Sequence, residues 1–150
     1  MTTRDNYSGQ SVVNGLSAIV LTADQNGLDI DTQGYDSCLI TVNVGASGDT
    51  LSGSVFAELE IETAPDDGTG SAGTYVDATD AEVIGSITGT NTGTFALIDD
   101  PAEDEAVYAC GVITDDRFVR CVVSLTGTHS VGTEFSVTAV LGHGHRTRTN

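Results

Sequence analysis

Three groups of residues in this chain carry reactive or ligating chemistry. The first is acidic: Asp66-Asp67, Asp99-Asp100 with Glu103-Asp104-Glu105, and Asp115-Asp116 each gather hard oxygen ligands in a loop, as calcium requires. None has the ligand spacing of a defined calcium loop, and solvated turn residues are the simpler reading. The second is His143-Gly144-His145, an i, i+2 pair that could chelate a transition metal. It has no cysteine nearby, and Arg146 and Arg148 beside it repel a cation; contact of this small basic tail with an acidic neighbour explains it equally well. The third is His129-Ser130, a histidine next to a hydroxyl, but no nucleophile elbow surrounds them. No phosphate-binding glycine loop is present either. The sequence therefore points to a protein that is not an enzyme and uses no cofactor.

The charge balance narrows the partners. The chain has 22 acidic residues against 5 arginines and no lysine, a net charge of −17. Such a surface repels nucleic acid and anionic lipid, so neither is an expected partner. No apolar run approaches a membrane span, and the N-terminus lacks a basic-then-apolar export signal, so synthesis in the cytoplasm without Sec export is expected. An odd count of three cysteines argues against a disulfide framework; Cys38 reads as a core residue, and Cys110 and Cys121 read as two small buried residues facing each other, with a disulfide between them the alternative.

The elements that must position these residues are strands. Abundant Gly, Thr, Ser and Val, with no helical period, predict an all-β chain of 150 residues folded as one antiparallel β-sandwich of about eight or nine strands. Jelly-roll and immunoglobulin-like connectivity both fit. Residues 36–44 should bury Cys38, Ile40, Val42 and Val44, and residues 134–141 should bury Phe135, Val137, Ala139 and Leu141. Residues 51–63 should bury Val55, Ala57, Leu59 and Ile61 and turn Glu58, Glu60 and Glu62 to water. The segment 106–142 reads as three consecutive antiparallel strands. A two-residue turn at Asp115-Asp116 would then set Val112 opposite Val119, Cys110 opposite Cys121 and Tyr108 opposite Val123. Residues 1–16, polar and aperiodic, read as an extended arm, 17–142 as the sandwich, and 143–150 as a tail.

Three blocks, in order, resemble a family of small virion proteins of tailed bacteriophages and prophages that are commonly encoded near the major capsid gene. The first holds Asp31, Gly34 and Tyr35; the second holds Asp66, Asp67, Gly68 and Tyr75. The third runs from Gly111 through Arg117 and Phe118 to Gly127, Thr128, His129 and Ser130. The likeness covers residues 28 to 142. It departs where Val112, not tyrosine, follows Gly111, and where GTGSAG is inserted before Tyr75. The resemblance implies a head decoration (cement) protein, made in the host bacterial cytoplasm and carried on the capsid outer surface. Its implied partners are the major capsid protein and further copies of itself, as a homotrimer. Arg4, Tyr7, His143, His145, Arg146 and Arg148 are the expected capsid or intersubunit contacts. A tail tube, tail terminator or fibre-associated protein, or a host-surface binding module, is the alternative.

Overall fold

The structure, a computed structural model, describes residues 7–144. Arg4, His145, Arg146 and Arg148 lie outside the described residues. The described chain forms only strands: β1 (Ser11–Leu21), β2 (Gln25–Asn26), β3 (Ile30–Asp31), β4 (Tyr35–Ser47), β5 (Phe56–Ala64), β6 (Val76–Asp77), β7 (Val83–Ile84), β8 (Thr94–Ile98), β9 (Val107–Val112), β10 (Phe118–Thr126) and β11 (Thr133–Gly144). One sheet has the order β1-β11-β4-β9-β7. The other has β2-β10-β5-β6, with β3 also on β10 and β8 also on β5. The strand pairings within them run antiparallel.

Taking β2 with β3 as one position and leaving aside the two-residue β6 and β7, the orders are first-eighth-third-sixth and second-seventh-fourth-fifth. That is jelly-roll connectivity. It resolves the choice that the sequence left open, within the expected strand count. The sheets close on a core that follows the strand alternation. Ile40, Val42 and Val44 of β4 and Phe135, Val137, Ala139 and Leu141 of β11 face Leu59 and Ile61 of β5 and Val119 and Val123 of β10. Each is essentially inaccessible to water, and truncating a buried Leu or Ile to Ala in such a core costs about 2–5 kcal/mol.

The expected hairpin at Asp115-Asp116 does not form. β9 pairs with β4 and β7 in one sheet, whereas β10 pairs with β5 along nine residues in the other. The segment between them crosses the sandwich and is anchored at both ends. The Ile113 N–H donates to the Glu82 carbonyl at 2.8 Å, and the Thr63 hydroxyl donates to Asp116 Oδ2 at 2.7 Å. The inward set survives because it was read from alternation: Cys110, Val112, Val119, Cys121 and Val123 are all buried, meeting across the core instead of along a ladder. Nor are β9, β10 and β11 consecutive neighbours, since β11 lies between β1 and β4.

Two further expectations are corrected. β1 begins at Ser11 and pairs with Leu141 to Thr133 of β11, so residues 11–16 of the expected arm belong to the sheet; β11 likewise runs past 142 to Gly144. Glu58 and Glu60 do point to the outer face of β5, yet they are buried. Residues 85–93 cross over them, with the Thr90 N–H donating to Glu58 Oε1 at 2.7 Å and Asn91 Nδ2 to Glu60 Oε2 at 3.0 Å.

Candidate contact surfaces and the clamps behind them

The three blocks of the resemblance meet at Arg117. Its Nε and Nη2 donate to the two oxygens of Asp31 at 2.9 and 2.7 Å, and its Nη1 donates to Asp66 Oδ2. A planar guanidinium suits this double-carboxylate geometry, which an ammonium cannot reproduce. Arg117 also stacks over Phe118, 4.9 Å from the ring centroid. The pair with Asp31 raises the guanidinium pKa and, reciprocally, holds the Asp31 carboxyl below its ordinary value. Asp66 is held low first by the Gly68 and Gly70 N–H groups, which donate at 2.7 and 3.1 Å. Asp67 accepts from the Thr69 hydroxyl and N–H and from Ser71, which lowers its pKa too. These carboxylates are engaged in folding their own loop.

A second clamp lies alongside. Arg120 is paired with Glu62 across the β10–β5 ladder and sits over the Tyr75 ring, 4.0 Å from its centroid. The Tyr75 hydroxyl donates to Asp29 Oδ1 at 2.9 Å. Burial, reinforced by the Asp29 carboxylate, pushes the phenol pKa up. Arg117 and Arg120 are thus both committed internally. Sequence reading singled out Tyr75 but missed Asp29, Glu62 and Arg120; the signal was Glu62 and Arg120 on strands whose neighbours alternate inward.

The remaining residues of the resemblance shape turns or the sheet. Gly34 has φ +88° in the turn closed by the Tyr35 N–H on the Thr32 carbonyl, and Gly68 has φ +89°. Tyr35 packs half-buried against the core at the start of β4. Gly111 lies in β9 beneath Ile84. Gly127 has φ +88°, and a Cβ there would stand 2.2 Å from the Ser54 carbonyl oxygen. Thr128 is exposed, while His129 is buried with Nε2 donating to the Thr126 carbonyl at 3.1 Å. The neighbouring loop is held by Asp49, which accepts from the Ser130, Val131 and Gly132 N–H groups. Ser130 has no triad geometry with His129: the imidazole Nε2 is turned to the Thr126 carbonyl, and its buried Nδ1 makes no hydrogen bond. His143, at φ +55°, makes a 2.9 Å hydrogen bond through Nδ1 with the Ser37 hydroxyl, and Tyr7 is exposed. Among the described residues, no group of three or more His, Cys, Asp or Glu side chains converges as a metal site.

Among the described residues, one sheet face is left uncovered. The outer side of the β1-β11-β4-β9-β7 sheet carries a row, Val12-Val140-Leu39-Gly111-Ile84, that crosses all five strands. The adjacent row is Asn14-Thr138-Thr41-Ala109. Val12, Leu39, Ile84 and Val107 on this side are 42–71% exposed. The opposite sheet differs: its outer side carries Glu58, Glu60, Glu62 and Arg120, and residues 85–93 cover part of it. Both described ends of the chain emerge together at one end of the uncovered sheet, where Ser11 pairs with Leu141 and the Gly144 N–H reaches the Gly9 carbonyl at 3.4 Å.

No protein-family model matches the chain, and no curated protein matches it. Among solved structures it is similar to a chain in the structure of infectious bursal disease virus Gx strain, with a TM-score of 0.42 and 12% identity over 91% of this chain. A chain in the structure of infectious bursal disease virus Gt strain gives a TM-score of 0.18 and 14% identity, again over 91% of this chain. This chain spans 32% and 40% of the length of those two chains. Similarity of this strength assigns no function here.

Proposed function

We propose that this protein is a non-enzymatic structural component of a tailed-phage virion, a decoration protein that binds the outside of the head and stabilises it. The observation that carries the reading is the meeting of Asp31, Asp66 and Arg117. Three separated blocks that resemble the phage family contribute one residue each to a single clamp, so the residues that carry the resemblance hold one another in place in this chain. Jelly rolls serve in viral capsid domains and also in lectins and cupins, so the fold is compatible with the reading and does not select it.

The two chain ends leave the sandwich side by side, and three of the five arginines, Arg4, Arg146 and Arg148, belong to the terminal segments. With Arg117 and Arg120 bound internally, those termini are the basic contacts on offer to a shell or a neighbouring copy. Many copies on one shell add up through multivalency even where each binds modestly. The major capsid protein is the partner in this reading, with self-assembly into trimers as the resemblance implies. The test is co-sedimentation with expanded head shells that lack the protein. A chain without residues 2–8, which leaves β1 intact, and one without residues 145–150 should lose shell binding while keeping a cooperative melt. Undiminished binding by both would overturn the assignment of the contacts to the termini.

A further inference from the structure

We propose that the uncovered outer face of the β1-β11-β4-β9-β7 sheet docks the same face of a second copy of this chain. The argument begins with charge. The chain carries 22 carboxylates, yet the two rows described above contain none. The row beyond them, Ser136-Asn43-Val107, has none either. Glu134 stands only at the margin, beside Val20 and Gly45. Outward positions on strands are where an acidic protein ordinarily places its charge, and the other sheet does so with Glu58, Glu60 and Glu62.

The depletion selects the occupant. A basic partner would gain from carboxylates on the face it touches. Another copy of this chain is the partner for which carboxylates are costly, because every acid brought to the contact meets an acid of like sign. The side chains suit a self-contact as well: exposed Val, Leu and Ile cross the centre, and Thr, Ser and Asn flank them with hydrogen-bonding groups. The outward positions of these three rows occupy roughly 390 Å² in projection, from a strand spacing of about 4.8 Å and a same-face spacing of about 6.8 Å. Two such faces together give about 800 Å² in projection, and accessible area exceeds projected area, which brings the contact towards the ~1,000 Å² expected of a specific interface. A face that meets itself is isologous, so it yields pairs, or six-chain particles where threefold assembly also occurs.

The test needs only the full-length purified chain, without capsids, so it can fail independently of the decoration reading. Sedimentation velocity should show a reversible pair that tightens from about 0.05 M to about 0.5 M salt, because salt screens the repulsion between two acidic bodies. Leu39→Asp should weaken pairing at least about tenfold, because it faces like charge against like. Ala109→Glu, at an exposed position, provides the same reading if Leu39→Asp fails to fold. Val76→Asp, at an exposed apolar residue on β6 of the opposite sheet, should leave pairing unchanged. A monomer at every concentration, trimers alone, or pairing untouched by both face variants would overturn the proposal. So would pairing that weakens with salt and vanishes when residues 145–150 are removed, since the basic tail would then be the occupant.

Discussion

At the scale of single residues, burial governs the ionisable groups. Cys38, Cys110 and Cys121 are free and buried, and burial raises the first two thiol pKa values to about 11 and about 12, and the third well above its ordinary value. A thiolate is the reactive form, so none of the three should react with a thiol reagent at neutral pH in the native protein, and all three should react on unfolding. Rapid native labelling of even one would contradict this packing. Glu60 is the converse case. Its Oε1 is buried without a partner, and burial raises its pKa despite the hydrogen bond from Asn91, with Glu58, Asp77 and Glu62 adding to the shift. For an acid whose folded pKa is raised, the native state binds more protons than the unfolded chain, so its contribution to stability declines as pH rises from the ordinary carboxylate value through the folded one. Glu60→Gln should therefore raise the melting temperature at alkaline pH and flatten its decline as pH rises above the ordinary carboxylate range. An unchanged pH profile would show that Glu60 is not strained. Asp31, Asp49, Asp66, Asp67 and Glu82 have lowered values and act oppositely: the stability they lend is present above their ordinary values and is lost as pH falls below about 4.

Among the elements, turns and cross-sheet segments decide how the strands are shared. Gly127 joins a left-handed φ to a backbone oxygen 2.2 Å from where a Cβ would stand, so Gly127→Ala should cost more than about 1 kcal/mol in chemical denaturation. A neutral result would mean that the turn can relax. How much was legible in the sequence is clearest at this scale. β4 and β11 alternate cleanly because one face of each meets the core and the other meets water, and their buried sets were read directly. β9 and β10 alternate just as well, but alternation specifies a face and not a neighbour. Asp115-Asp116 looks alike whether the chain folds back beside itself or crosses to the opposite sheet, and the tie from Thr63 to Asp116 is 53 residues away in sequence. Glu58 and Glu60 were assigned to the correct side of β5 but not to burial, because the covering residues 85–93 have no period that announces a packed segment. Arg117, Asp31 and Asp66 were individually visible through the resemblance, while their meeting was not. The charge-free outer face was visible in principle, since Leu39, Thr41 and Asn43 alternate with the core residues of β4, and Ser136, Thr138 and Val140 with those of β11.

For the whole molecule, the sandwich divides into one sheet whose acidic outer side is partly wrapped by its own chain and another whose neutral outer side is bare of other described residues. Both ends of the chain leave beside that bare sheet. An acidic body with few cations outside internal pairs repels other acidic surfaces, which favours association through the surfaces that lack this charge. On the proposed reading these are the basic termini and the neutral face, one directed to the shell and the other to a second copy. The central claim is attachment to the head. Its most direct test is to add the purified protein to expanded shells that lack it and to measure both occupancy and the temperature at which the shells disrupt. The account predicts saturable binding at a fixed number of copies per shell, on the outer surface, with disruption shifted to higher temperature. No binding at excess protein, with rings assembled by the chain alone or affinity for host cells in its place, would contradict it and move the protein to the tail.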